Sequence, residues 1–341
     1  LRYLMREEPA DLIGIVFDGV DKLQHLCWRF IDPSCQAAEP SPWEQEITAL
    51  CESYFRQLDE ILAEIVALAG PDTTVVMASD HGFGPSSDVF YLNTWLEQQG
   101  YLAWAKDTDV QHQETPLVGF GQMTRHIFQL DWEQTVAYAA TPSSQGIHIV
   151  TRRPGSDQVM SPETYLTIRT ELADALREIR HPKTGRRLAS GVWTREEVFS
   201  GPQQALAPDI SIMLEDGAAI SILRSDTLFQ HRDMPKGNHR WDGIFAAGGP
   251  GIRSGVAVDQ LSIVDVAPLL LYSLDLPIPV DMSGRVPHEV LEPEELERRP
   301  PRSMAGSVPA ASAEYVPVEA AYDAESEATI LKRLRALGYV E

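Results

Sequence analysis

Thiols are scarce in this chain. Its 341 residues include three cysteines, Cys27, Cys35 and Cys51, an odd number with no C-x-x-C spacing. That argues against a disulfide framework and against a thiolate zinc site. Buried free thiols in a reducing compartment are the simplest account, so a cytoplasmic protein is expected. Positive charge is scarce too, with 28 Lys and Arg against 50 Asp and Glu and a net charge of -22. A surface of that sign repels phosphate backbones and anionic lipid, which argues against a nucleic-acid polymer or a membrane surface as partner. A small anionic substrate stays open, because bound cations can reverse the local sign. Solubility is the plainest consequence of the charge. No apolar run approaches the ~18 to 20 residues of a membrane span. Residues Leu1 to Ala10 carry Arg2, Arg6, Glu7 and Glu8 and do not read as a signal peptide. No internal repeat is visible.

What is present suits a folded α/β chain. Apolar residues make up 43%, ample for a core, in roughly two domains or one large one. Leu12 to Phe17 (LIGIVF) reads as a buried parallel strand, and a helix is expected around Lys22 to Phe30. The next helix is marked best: Ser41 as N-cap, Pro42 at its first position and Glu44 completing a capping box, with Gly70-Pro71 at its end. Thr73 to Ala78 (TTVVMA) reads as a second buried strand, completing a parallel strand–helix–strand unit. Further on, Ser161-Pro162 opens a helix through Ile179, His181 to Gly185 is a turn, and Pro208 to Ile212 is a strand candidate. Gly243 to Ala247 is a third core strand, and a helix is expected from near Ser262, with Asp265 placed to cap it. From Glu292 to Glu327 the composition turns to Pro, Glu, Ala and Ser and reads as an exposed tail. Ile330 to Leu337 reads as a short amphipathic helix.

Three groups of residues can carry chemistry. Asp21 and His25 are four apart, so a helix puts them on one face, either to grip a cation or as an ordinary surface pair. Asp80 and His81 directly follow an apolar strand and precede Gly82 and Gly84. They fit an exposed turn, or a site where carboxylate and imidazole reach one metal. His239 stands just before the third strand, a turn histidine or a further ligand. Ligands of open α/β sheets bind beyond the carboxyl ends of strands. Oxygen and imidazole donors without thiolate suit zinc, manganese or iron. Five donors exceed one closed site, so two metals fit better, and two metals fit phosphoryl transfer. His231 and Arg232 could face a substrate. His112, His126, His148, His181 and His288 show no partner pattern, and the tryptophans read as core or rim.

The ordered set Asp21-x-x-x-His25, Ser79-Asp80-His81-Gly82 and Gly237-x-His239 resembles the alkaline phosphatase superfamily, most closely its type I phosphodiesterase/nucleotide pyrophosphatase branch. GVDKLQHLCW (Gly19 to Trp28), ASDHGFGP (Ala78 to Pro85), FYLNTWLEQQGYL (Phe90 to Leu102), HRWDGIFAAGGPGI (His239 to Ile252), SIVDVAP (Ser262 to Pro268) and LKRLRALGYVE (Leu331 to Glu341) add to the likeness. The resemblance implies a three-layer α/β sandwich with a central, mostly parallel sheet and an inserted, substrate-shaping region. The expected divisions are 1–84 and 236–291 as core parts with the metal motifs, 85–235 as the insertion, and 292–341 as an acidic tail. It further implies that Asp21, His25 and His239 match the ligands of one metal and that Asp80 and His81 match two ligands of another. Zinc is the first expectation for both and manganese the second. The implied reaction is hydrolysis of a small phosphoester through a phosphorylated Ser or Thr.

The chain departs from that pattern before Asp21. The family has an early strand ending in Asp-Gly and then a Ser or Thr nucleophile, and 20 residues leave no room for either. Asp18-Gly19 imitates the first motif inside the Asp21 motif. Thr141, Ser143 and Ser144 are loop hydroxyls that nothing aligns with the nucleophile. Together with the initial Leu, this leads to the expectation of a truncated enzyme whose nucleophile lies elsewhere. The rivals are a phosphomutase or sulfatase of the same superfamily, a non-catalytic metal-binding relative, or five unrelated surface groups.

Overall fold

The computed structural model describes residues 1–8, 10–105, 130–141, 145–153 and 155–306. The expected helix at Ile330 to Leu337, the tail beyond 306, His112, His126, Ser143 and Ser144 lie outside the described residues. In chain order the elements are α1 (Arg2–Glu7), α2 (Gly19–Ile31), α3 (Pro42–Ala69), β1 (Val75–Ala78), β2 (Gly82–Tyr91), α4 (Leu92–Gln98), β3 (Ala137–Tyr138) and β4 (Gly146–Ile149). There follow α5 (Pro162–Glu178), β5 (Ala189–Thr194), β6 (Ile210–Leu214), β7 (Ala219–Ser221), β8 (Phe229–Arg240), β9 (Phe245–Gly248), α6 (Val266–Ser273), β10 (Ile278–Pro279), α7 (Pro293–Arg298) and β11 (Ser303–Met304). Among the described residues no helix is long and apolar enough to cross a membrane. The chain divides into two units, one of residues 1–85 and 234–310, the other centred on 86–233.

In the first unit, local chemistry sets the helices. Ser41 Oγ accepts from the Glu44 N–H while the Glu44 carboxylate accepts from the Ser41 N–H, so both orphan donors at the start of α3 are satisfied. Gly70 ends that helix at φ 80°, a conformation in which a Cβ would be strained. α2 packs on α3, with Phe30 and Cys51 buried. A second apolar cluster joins Ile252, Leu269, Tyr272, Val286, Val290 and Leu291. Val76 of β1 and Phe245 of β9 pack against it.

Several expectations are corrected here. Residues 12–17 form no strand, and Val16 is 88% exposed. An apolar run becomes a strand only when a neighbour completes its ladder, and among the described residues none lies beside it. Among the described residues β1 pairs only with β9, and antiparallel, with Val75 opposite Gly248 and Ala78 opposite Phe245. Its residues are half-buried or exposed, not core. The expected parallel strand–helix–strand unit is therefore not formed. Asp265 occupies the N-cap position of α6 as expected, but its side chain makes no capping bond; its buried carboxylate instead accepts from the Arg285 N–H at 2.8 Å. The tail does not begin at Glu292, because Leu291 is core, α7 follows, and Glu295 is buried beside Arg298 and Arg299. Paired guanidinium groups let a carboxylate leave water, which composition alone does not reveal.

The second unit holds the larger core. β3, β4, β6 and β5 form an antiparallel sheet in that order. α5 packs against β5, and its Ser161 N-cap accepts from the Thr164 N–H. β2 lies between β7 and β8 and runs parallel to β7. Phe90, Leu92, Leu96, Ile147, Leu172, Leu176 and Ile210 are fully buried. Trp95 and Trp104 are also core, while Trp132 packs against its edge. Buried Asp209 links elements by accepting from the Ile149 N–H, the Tyr165 hydroxyl and Arg195. The described chain is thus mixed α/β with several small, mostly antiparallel sheets, and the central, mostly parallel sheet is not what these residues form. A short apolar run suggests a strand, whereas whether it forms and which way it pairs depend on distant partners.

Leu96→Ala should cost about 2–5 kcal/mol of stability. Leu50→Ala, at a side chain 59% exposed on α3, should change it by less than about 0.5 kcal/mol. Urea denaturation followed by circular dichroism measures both.

Candidate metal centre

Four of the five histidine and aspartate positions picked out above converge in the first unit. α2 supplies Asp21 and His25 from one face, with His25 Nε2 3.4 Å from Asp21 Oδ1. α2 is held by Arg29, which reaches Glu44 and lies over the Phe30 ring. The turn after β1 supplies Asp80 and His81. It is pinned to the approach to β9, where the Ser79 N–H donates to the Ile244 carbonyl and the Ile244 N–H donates to Ser79 Oγ. β8 supplies His239.

The donor atoms crowd one point. His239 Nε2 stands 2.9 Å from His25 Nε2 and 3.3 Å from Asp21 Oδ1. His81 Nε2 stands 3.6 Å from the same Asp21 oxygen, and its ring stacks on that of His239 at 3.6 Å between centroids. Asp21, His25 and His239 form a group able to hold a metal ion, with all ligand atoms within 4.8 Å of one another. Asp80 is the outlier: its side chain is 85% exposed and its Oδ1 is 3.6 Å from His81 Nε2. Asp18 is not part of the cluster. It pairs with Lys22 one turn along, which holds its carboxyl below the usual range.

Hydrogen bonds fix which nitrogen is free at His25 and at His81. His25 Nδ1 lies 3.1 Å from the Gly237 carbonyl, and His81 Nδ1 lies 3.1 Å from the Gly82 carbonyl. A carbonyl only accepts, so each Nδ1 carries the proton and each Nε2 offers its lone pair. Backbone carbonyls behind ring nitrogens are the usual outer support of metal-binding histidines. His239 titrates below the ordinary imidazole value because burial, His81 and His25 all disfavour its charged form, outweighing Asp21. Zinc holds nitrogen and oxygen donors at about 2.0–2.1 Å, so neighbouring donors of a tetrahedron sit about 3.3 Å apart. The observed spacings of 2.9 to 3.6 Å bracket that value, so the residues fit a small divalent cation.

Sequence reasoning missed two supports. Phe83 touches all three imidazoles, and its setting between Gly82 and Gly84 gave no hint of it. At Gly237 a Cβ would overlap the Gln24 carbonyl of α2, so only glycine lets β8 approach. The second unit contains another cluster that was not foreseen. Asp88 accepts from His231 Nδ1 at 2.8 Å and lies 3.3 Å from His181 Nε2. His181 Nδ1 in turn accepts from the Lys183 and Thr184 N–H groups. Half-buried Arg232 and His148 are both pushed down mainly by burial.

The chain is thus a mixed α/β protein with an imidazole and carboxylate group able to hold a metal ion. The family model for type I phosphodiesterase / nucleotide pyrophosphatase matches residues 2–242. The chain belongs to that family, and with it to the alkaline phosphatase superfamily. Membership points to phosphoester hydrolysis. No curated protein and no solved structure matches it.

Two outcomes follow for the chelator-treated protein. A histidine whose folded pKa is lowered stabilises the fold above the unfolded value, about 6.5, and that stability is lost as pH falls through the folded pKa. Stability should therefore drop below about pH 6.5, and His239→Asn should flatten the slope in denaturation series. Gly237→Ala should cost about 1–3 kcal/mol by overpacking β8 against α2.

Proposed function

We propose that the chain is a metal-dependent phosphoesterase acting on a small phosphodiester or phosphomonoester. The observation that carries this reading is the convergence of the ligand atoms of Asp21, His25 and His239, residues up to 218 positions apart. Asp21, His25 and His239 would hold one ion, and His81 with Asp80 would contribute to a second, zinc before manganese. A divalent cation held there would neutralise charge on the phosphoester oxygens and lower the pKa of a bound hydroxyl.

The chain's own residues prepare for that. Asp21 Oδ1 lies within 3.3 to 3.6 Å of three imidazoles and is the common anchor. The Gly237 and Gly82 carbonyls hold His25 and His81 in the tautomer that can bind. The depressed basicity of His239 keeps it neutral, hence able to donate its lone pair, at neutral pH. A net charge of -22 would repel an anionic substrate everywhere else, so a local cation would make this cluster the favoured landing point. The resemblance implies a Ser or Thr nucleophile that is phosphorylated and then released by water. No residue of this chain is assigned that role.

The test measures bound metal together with hydrolysis of bis-(p-nitrophenyl) phosphate and p-nitrophenyl phosphate in added zinc or manganese. Asp21→Ala and His239→Ala should each lower metal affinity and turnover about a hundredfold or more, whereas Asp18→Ala should leave both unchanged. Stoichiometric metal without turnover would instead make the chain a non-catalytic metal-binding relative. Absence of stoichiometric metal would overturn the ligand assignment.

A further inference from the structure

We propose that Phe83 is a positioning residue of this centre, its ring serving as the shared surface that holds the His25, His81 and His239 imidazoles at donor spacing. The inference rests on the metal-centre reading above and extends it to a residue that bears no donor atom.

The contacts are unusually complete. The Phe83 centroid lies 4.8 Å from that of His25, 5.2 Å from His239 and 5.4 Å from His81. It meets His25 and His239 edge to face, at interplanar angles of 77° in both cases, and His81 at 59°. Each imidazole comes from a different element, α2, β8 or the turn after β1, and Phe83 is the one aromatic ring in contact with all three among the described residues. The ring is itself held. Trp28 of α2 stacks on it at 6.0 Å and 20°, and the Trp28 indole N–H donates to Asp32. A Cβ at Gly237 would also come within 3.1 Å of Phe83 Cδ1, so β8 closes on the ring.

The physical role follows from what phenylalanine lacks. Imidazole χ2 is a broad, roughly two-fold torsion. The carbonyl bonds fix a tautomer at His25 and His81, whereas among the described residues no carbonyl holds His239 Nδ1, and its orientation depends on packing. A flat apolar edge and face restrict rotation without offering a hydrogen bond that would compete with the cation. Leucine would fill space, yet it cannot present the edge-to-face geometry to three rings at once.

The experiment uses the full chain. Zn2+ affinity is read by competition with a chromophoric chelator, and the Co2+ absorption spectrum reports coordination geometry. Thermal unfolding of each variant checks that it folds. Phe83→Leu and Phe83→Ala should weaken Zn2+ binding about tenfold to a hundredfold and alter the intensity of the Co2+ bands. Phe83→Tyr, which keeps the ring, should stay within about threefold of the parent chain and keep its spectrum. If Phe83→Ala does not fold, Phe83→Leu decides. Unchanged Zn2+ affinity and Co2+ spectrum in Phe83→Leu, with Asp21→Ala still losing metal, would overturn the role of Phe83 and leave the centre standing. Failure of the parent chain to bind Zn2+ would overturn the centre, and this role with it.

Discussion

At Gly237 the backbone of β8 runs so close to α2 that a single added carbon would collide with the Gln24 carbonyl. The rest of the centre depends on that approach. It brings the Gly237 carbonyl to His25 Nδ1, which sets the tautomer of a ring 212 residues earlier in the chain. Two residues on, it sets His239 against both His25 and Asp21. Strand and helix meet backbone to side chain, a contact with little freedom to drift, and the donor spacings inherit that rigidity.

The cluster gathers groups able to hold a metal ion. One carboxylate oxygen of Asp21 faces three imidazoles. Burial, with His81 and His25 close by, holds His239 below the ordinary imidazole range. Imidazole nitrogens beside a single carboxylate are a donor set that suits a small divalent cation. Phe83 and Trp28 close one side with surfaces that cannot coordinate. Membership in the type I phosphodiesterase/nucleotide pyrophosphatase family agrees with such a ligand set.

Legibility in the sequence followed the range of the interaction. The capping box at Ser41 and Glu44, the N-cap at Ser161 and the stop at Gly70 are signals within a few residues, and each appears where the sequence places it. Asp21 and His25 were readable as one helix face because their spacing is local. Long-range pairing was not readable. LIGIVF has every property of a buried strand and lies exposed, because a ladder needs a neighbour and the run does not specify one. The stretch from Glu292 reads as solvated, yet Glu295 is buried against arginines three and four residues further on. The cluster joining Asp88, His181 and His231 was invisible for the same reason: its members come from strand, turn and strand far apart in the chain.

By itself, then, the sequence determined the residue types that can bind a cation, the local helices that carry them and the family to which they belong. These rest on short spacings and on chemistry that survives any arrangement. The tertiary structure alone decided that β1 runs antiparallel to β9, that Asp80 turns outward while His81 turns in, and that Phe83 sits among three imidazoles. Those outcomes depend on which distant backbones come within contact, and only the folded chain brings them there.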